Sequence, residues 1–209
     1  MKRRLGRPTQ CDAAETRERI VHEAQRAFTT RGYDNTTNRE IAAGAGITAA
    51  AIYHYFPSKV DLFVAVFLDV QSKVFEAFET AVAKHDTFTA QFEAIFDAMF
   101  ELSNDDPMLA SFVVGVITEA NHHPDLREAL AKLPPRQEEF LTRMCVAAQQ
   151  RGELPESLPV RTAVDAMSGV IGGFARLAVT TRDRNRLRAV AGVYKTMART
   201  GLSRAVVGV

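Results

Sequence analysis

The amino-acid sequence predicts an all-α protein of about nine helices, with an N-terminal unit of three helices followed by a larger helical body. Three observations carry this expectation. Apolar residues recur at helical spacing in almost every long segment, with little of the period-two alternation that marks strands. Cap residues and prolines punctuate those segments at intervals suited to helix starts and stops. Between Thr36 and Lys59, two short helical patterns flank a turn of small residues.

The elements follow in order. Asp12, with Glu15 three residues later, has capping-box spacing. Ile20, Val21, Ala24, Ala27 and Phe28 then recur on one helical face, and Gly32 closes the segment. Thr36-Thr37 open a short helix through about Ala45, and Gly44 and Gly46 bracket a tight turn. Thr48 starts a second short helix, which Pro57 ends because the residue before proline is pushed out of the helical region. Ser58 and Asp61 cap a long amphipathic helix running toward Lys84. Further helices are predicted at about 87–103, 107–121, 124–133, 135–151, 159–180 and 183–203. Pro107 behind Asp106 reads as a first-turn proline after its cap. Pro124, Pro134-Pro135 and the Pro155/Pro159 region separate the rest.

Composition narrows the class. With 46% hydrophobic and 24% charged residues, the 209-residue chain is too apolar for wholesale disorder and long enough to bury a core. Cys11 and Cys145 are too few for a disulfide framework. No uninterrupted apolar stretch reaches the roughly 18 residues of a membrane span. The basic N-terminus lacks the apolar stretch of a secretory signal. A reduced, cytoplasmic compartment is the expectation.

The net charge of +1 conceals an asymmetry. Residues 1–60 carry ten Lys and Arg against six Asp and Glu, whereas residues 61–209 carry sixteen against nineteen. Lys2, Arg3, Arg4 and Arg7 precede any acid. A basic arm on a mildly acidic body suits a chain that touches a polyanion at one end. Charge alone leaves a solvated tail equally open.

The stretch from Thr36 to Lys59, TTNREIAAGAGITAAAIYHYFPSK, carries a mechanism. Ile41, Ala42, Ile47 and Ile52 would form a compact interior with Phe28, and Ala45-Gly46 permits a sharp turn. Ala49, Ala50 and Ala51 keep the front of the second helix narrow, so its backbone can approach base edges. Thr37 and Thr48 place hydroxyls and free amides at helix starts, ready for phosphate. Tyr53, His54 and Lys59 are expected to add donors at the back of the same unit, while Tyr55 and Phe56 are expected in the core. This is the layout of a helix-turn-helix, whose second short helix enters the major groove. An ordinary helical corner shares the Ala/Gly turn, and spacing alone leaves that reading open.

Here the sequence resembles the tetracycline-repressor (TetR) family of bacterial regulators. The resemblance spans about residues 16–62 and rests on R-G-Y…T-T, I-A-x-x-A-G-I-T and Y-H-Y-F-P-S-K, in order and at the family's spacing. It implies phosphate contacts at Thr37, Tyr53, His54 and Lys59, and groove contacts around Thr48, Ala49 and Ala50. The sequence departs at Ala49–Ala51, where the family often has a polar residue, then glycine, then threonine. Alanines offer bases no hydrogen bond, so readout is expected to lean on Thr48, His54, Arg39 and apolar contact with thymine methyls. In the arm, Gly6-Arg7-Pro8 is narrow and cationic, suited to an A·T-rich minor groove, and with Arg3 and Arg4 resembles the basic extensions of such proteins. Non-specific counterion release is the alternative use of the arm.

Nine of the thirteen phenylalanines fall between Phe63 and Phe112. Phe88, Phe92, Phe96 and Phe100 are spaced four apart, with Ile95 and Met99 beside them. Such a stripe is the pattern of plain core. In a TetR-like body, this helix and its neighbours also wall a ligand cavity, and Phe and Met are typical lining. The resemblance therefore implies a small apolar ligand, acyl or aromatic, with Phe92, Phe96, Met99, Phe112, Phe140, Met144 and Phe174 as candidates.

Val164, Met167, Val170, Ile171, Phe174 and Leu177 run along one late helix, and Leu187, Val190, Val193, Tyr194 and Met197 along the last. Gly169, Gly172 and Gly173 would let another helix come close. The resemblance implies that these two helices pair with their copies in a homodimer, as a palindromic operator requires. The same faces would equally serve a core within one subunit.

Glu119-x-x-His122-His123-x-Asp125 contains ligand-type residues but falls at a predicted helix end before Pro124, and is expected to be a polar loop rather than a metal site. Arg182, Arg184, Arg186 and Arg188 alternate by two and would scatter around a solvated helix start. No cofactor is expected. The reading is a ligand-responsive regulator, with residues 1–57 binding DNA and 58–209 binding ligand and dimerising. The alternative is a small-molecule carrier or an enzyme that uses the N-terminal unit as a scaffold. No nucleophile–base motif or phosphate loop supports catalysis.

Overall fold

The structure, a computed structural model, describes residues 10–181 and 183–205. Arg3, Arg4, Arg7 and Arg182 lie outside the described residues. Ten helices are present among them, one for each of the ten segments placed from sequence although the total expected was about nine: α1 (Gln10–Arg31), α2 (Asn38–Gly44), α3 (Ala49–Tyr55), α4 (Lys59–Val82), α5 (Phe88–Asp105), α6 (Pro107–His122), α7 (Pro124–Ala131), α8 (Arg136–Gln150), α9 (Val160–Thr180) and α10 (Arg184–Ala205). They form two compact units: Met1–Asp69 with Gly115–Ala131, and Val70–Val114 with Lys132–Val209.

Local chemistry sets most boundaries. Helix α1 begins at Gln10, so Asp12 falls within its first turn instead of capping it. Thr37 caps α2 in a capping box with Glu40, and Thr48 caps α3 by accepting the Ala51 N–H. Ser58 accepts the Asp61 N–H at 3.0 Å at the start of α4. Asp106 does the same for Met108 and Leu109, each at 3.0 Å, with Pro107 in the first turn of α6. Between α2 and α3 the chain reverses at Gly46, whose φ of 70° lies in the left-handed region that disfavours side chains.

In the first unit, Ile20, Val21, Ala24, Ala27 and Phe28 of α1 are buried together with Ile41, Ala42, Ala45, Ile52, Phe56, Leu62, Phe63 and Val66. Ile47 is only half-buried, because it lies in the turn before α3. The expected boundary at residue 57 falls inside this unit, which takes in the first turns of α4 and the segment Gly115–Ala131.

The second unit is built around aromatic rings. Phe96 of α5 meets Phe92 at 5.1 Å and Phe174 of α9 at 5.3 Å, both edge-on, and stacks on Tyr194 of α10 at 5.4 Å. Phe75 and Phe78 of α4 meet Phe140 of α8 at 5.6 and 6.1 Å. Polar ties brace the periphery. Arg184 donates to Ser103 Oγ at 3.0 Å and to its carbonyl at 2.8 Å, and the Arg188 guanidinium lies 4.9 Å from the Phe100 ring centre. These arginines therefore do more than solvate a helix start. Helix α9 is long and apolar enough to cross a membrane by length and composition alone. Its exposed face nonetheless carries an Arg161–Asp165 hydrogen bond of 3.2 Å.

Candidate nucleic-acid interface

Helix α3 has seven residues and only one buried anchor, Ile52. That anchor turns positions one, two, five and six of the helix, Ala49, Ala50, Tyr53 and His54, to the outside on one face. Tyr53 is 55% exposed, unusual for so large a ring with apolar body. Thr48, at the start of the same face, is exposed and uses Oγ1 to accept the Ala51 N–H at 3.1 Å. Arg39 on α2 is exposed as well. Tyr55 is half-buried and Phe56 buried, with the Arg17 guanidinium 5.1 Å from the Phe56 ring centre. A narrow alanine front, flanked by a threonine hydroxyl, a phenol and an imidazole, is thus presented on a short helix that a compact interior holds in place.

Two expected phosphate contacts have partners within the protein. Thr37 is exposed, but the Glu40 carboxylate accepts its N–H and its hydroxyl, both at 2.9 Å. The expected free amide and hydroxyl at this helix start are therefore already satisfied. These bonds from the Thr37 backbone and side chain, with the Arg31 and Lys59 charges, hold the Glu40 carboxyl below its ordinary value. Lys59 is half-buried, with its ammonium 4.2 Å from the centre of the Tyr33 ring. Burial pushes its pKa down, and the carboxylates of Asp34, Glu119 and Glu40 pull against that shift.

Glu119 and His123 were legible as a polar helix end but not as part of this neighbourhood. Glu119 Oε1 accepts the Tyr33 N–H at 3.1 Å across a separation of 86 residues. No local pattern in sequence encodes a bond of that range.

The candidate ligand residues form core. Phe92, Phe96, Phe140, Met144 and Phe174 are buried in one apolar cluster, with Met99 packed against it. Phe112 is buried outside that cluster. A groove of about 540 Å³ opens between α4 and α5, and it is lined instead by side chains such as Lys73, Glu76, Lys84, Asp97 and Glu101. Several of the apolar positions expected to pair the last two helices with their copies face inward instead: Val164, Met167, Ile171, Phe174 and Leu187 are buried. Outward they leave a different stripe. Gly169, Gly172 and Gly173 have open space where a Cβ would stand, and Val193 and Met197 are 56% and 60% exposed.

A three-helix head whose short third helix faces outward, joined to a helical body, defines a helix-turn-helix regulator class. The sequence signature described as bacterial regulatory proteins, tetR family, matches residues 20–66, and that of the tetracyclin repressor-like C-terminal domain matches residues 82–191. The chain belongs to the TetR family of transcriptional regulators. It is 28% identical over 173 residues to the HTH-type transcriptional repressor BepR of Brucella suis biovar 1 (strain 1330), covering 80% of this chain and 82% of BepR. It is 25% identical over 181 residues to the HTH-type transcriptional regulator SrpR of Pseudomonas putida, covering 86% and 83%. Among solved structures, a TetR transcriptional regulator from Chloroflexus aurantiacus J-10-FL shares the fold with a TM-score of 0.76, 24% identity and 90% and 96% coverage. FadR of Bacillus subtilis, solved with stearoyl-CoA, shares it with a TM-score of 0.72, 22% identity and 87% and 96% coverage.

Proposed function

We propose that this regulator is a homodimeric repressor in the cytoplasm, which binds a palindromic operator and leaves it when a small apolar ligand binds. Residues 1–57 dock on DNA, and residues 58–209 bind ligand and dimerise. The observation that carries the DNA half is the outward face of α3: Ala49, Ala50, Tyr53 and His54 exposed around one buried Ile52. Thr48, His54 and Arg39 donate to bases, Tyr53 and His54 reach phosphate, and the alanines meet thymine methyls. Thr37 and Lys59 reach phosphate once Glu40 and the Tyr33 ring give them up. Arg3, Arg4 and Arg7 follow the minor groove.

The dimer reading is supported by the exposed stripe of Gly169, Gly172, Gly173, Val193 and Met197, where close helix approach would bury apolar surface. A dimer sets two heads about one helical turn of DNA apart. For the ligand, the family and the stearoyl-CoA held by the Bacillus subtilis neighbour support an acyl or aromatic molecule. It enters by parting the cluster of Phe92, Phe96, Met99, Phe140, Met144 and Phe174, and Phe112 is the remaining candidate contact. To release DNA it must bind the DNA-incompetent form more tightly.

The test is a gel-shift titration on the DNA upstream of its own coding sequence, at several salt concentrations. Specific retardation that falls steeply with salt is expected. Tyr53→Ala weakens it about tenfold by removing a charge-neutral backbone contact, and a long-chain acyl-CoA at saturation abolishes it. No specific shift on that fragment, followed by no enrichment in a random-sequence selection, sinks the operator-binding reading. An unchanged affinity at saturating acyl-CoA sinks the acyl ligand alone.

A further inference from the structure

The turn between α1 and α2 is held from far along the chain. Helix α1 ends at Arg31, and the chain leaves it through Gly32 at a φ of 78°. The next N–H, that of Tyr33, donates to Glu119 Oε1 at 3.1 Å. That oxygen lies 3.2 Å from where a Cβ on Gly32 would stand, so the turn is shaped around the carboxylate. His123, just beyond α6, brings Nε2 to 3.4 Å from Asp34 Oδ1 and 3.6 Å from Glu119 Oε2. Its ring centre is 4.8 Å from that of Tyr33, which also carries the Lys59 ammonium at 4.2 Å.

The charge count around this clasp is lopsided. Asp34 from the turn, Glu119 from α6 and Asp125 from α7 act on the Tyr33 phenol, whose pKa is pushed up to about 12, first by burial and then by these acids. Asp34 and Glu119, together with Glu40 from α2, also attract the Lys59 ammonium. Lys59 lies among these acids, with Arg31 3.8 Å from Glu40, and it is the same lysine that the operator-binding reading gives to phosphate. His122 on α6 turns its Nδ1 to the Thr118 carbonyl at 2.8 Å, which leaves His123 as the imidazole between the two carboxylates.

We propose that Glu119 and His123 are positioning residues for operator binding, and that proton uptake by His123 raises operator affinity. The inference rests on the operator-binding reading above. Glu119 shapes the turn that leads into Thr36, Thr37 and α2; Thr36 Oγ1 in turn donates to the Gly32 carbonyl at 2.8 Å. An imidazole gains its charge as pH falls through roughly 8 to 5. Protonated, His123 is ion-paired to Asp34 and Glu119, which ties the turn and offsets one of the two carboxylate charges. Lys59 is then held less strongly within the protein and is available to a phosphate. Both consequences act in the same direction.

The experiment measures operator dissociation constants for the full-length protein at about pH 6 and about pH 8 at fixed salt. Wild type, His123→Gln, Glu119→Gln and Glu119→Ala are compared, and amide hydrogen exchange at Tyr33 is followed without DNA. The wild type is expected to bind about fivefold more tightly at the lower pH, the effect of roughly one favourable partly exposed ion pair. In His123→Gln the ratio shrinks to the share left by the other histidines, with its melting temperature at the higher pH unchanged. Glu119→Gln keeps an acceptor for Tyr33, so it retains amide protection and higher-pH affinity, whereas Glu119→Ala loses both. Equal pH ratios in wild type and His123→Gln overturn the pH coupling, and a protected Tyr33 amide in Glu119→Ala overturns the clasp. A wild type that binds no specific DNA at either pH fails earlier, at the reading on which the inference stands.

Discussion

Helices α3 and α5 treat their side chains in opposite ways. Helix α3 buries Ile52 alone and turns its other long side chains wholly or partly outward. Helix α5 buries Phe88, Phe92, Ala94, Ile95, Phe96, Ala98 and Ser103, with Phe96 enclosed by rings from two other helices. The first is a presenting surface and the second a structural keel. A substitution on α3 therefore strikes recognition before stability, and one on α5 strikes stability before anything else.

The largest expected effect lies on the keel. Phe96→Ala removes a fully buried ring and is expected to cost about 3–5 kcal/mol in urea unfolding. Tyr53→Ala, by contrast, should stay within about 0.5 kcal/mol of wild type while losing DNA affinity. A Tyr53→Ala protein as destabilised as Phe96→Ala would break the comparison. A smaller effect lies at the turn that supports α3. Gly46→Ala meets no atom within 4 Å, so its expected cost of about 1–2 kcal/mol is purely that of the left-handed backbone. Calorimetry of this variant separates backbone strain from packing.

The smallest expected effect is a surface ion pair that braces α10 on α5. Arg199 donates to Glu93 at 2.6 Å, and that hydrogen bond, aided by the charges of Arg199, Lys195 and His85, holds the Glu93 carboxyl below 4.5. A lowered acid pKa contributes stability that is complete above the ordinary carboxylate range and lost as pH falls through the folded-state value. Melting temperature should therefore decline slightly more on acidification in wild type than in Glu93→Gln. Identical slopes would remove this pair from the keel's support.

How much of this was legible in sequence depends on the range of the interaction. Thr37 with Glu40, Thr48 with Ala51, Ser58 with Asp61 and Asp106 with Leu109 all lie three residues apart. Each cap could be read from spacing, and so could Gly46 at its turn. The outward set of α3 was legible only in part: Ala49 and Ala50 were expected at its front, but Tyr53 and His54, expected at the back of the unit, are exposed beside them, and Ala51 is half-buried. What spacing did not reveal is that Thr37 would give its hydroxyl to Glu40, or that Lys59 would lie over Tyr33. In both cases a residue suited to phosphate found a partner at hand in its own fold.

The body shows the same division. Phenylalanines four apart on α5 announced a stripe with neighbours, and the structure supplies them from α9 and α10. Whether such a stripe lines a cavity or fills a core depends on how several helices approach one another, and no single helix encodes that distance. The inward faces of α9 and α10 were likewise visible as apolar series, but which copy they would meet was not.

Taken alone, the sequence determined the helices, most of their caps, the turn at Gly46 and the family. All of these rest on contacts within a few residues, where the 3.6-residue period and the reach of a side chain permit few solutions. Only the tertiary structure decided that Glu119 closes the turn at Tyr33, that His123 stands between two carboxylates, and that the phenylalanines pack as core. The first of those outcomes alone joins residues 86 positions apart. Their geometry is set by the mutual packing of whole helices, which the local pattern of any one of them leaves undetermined.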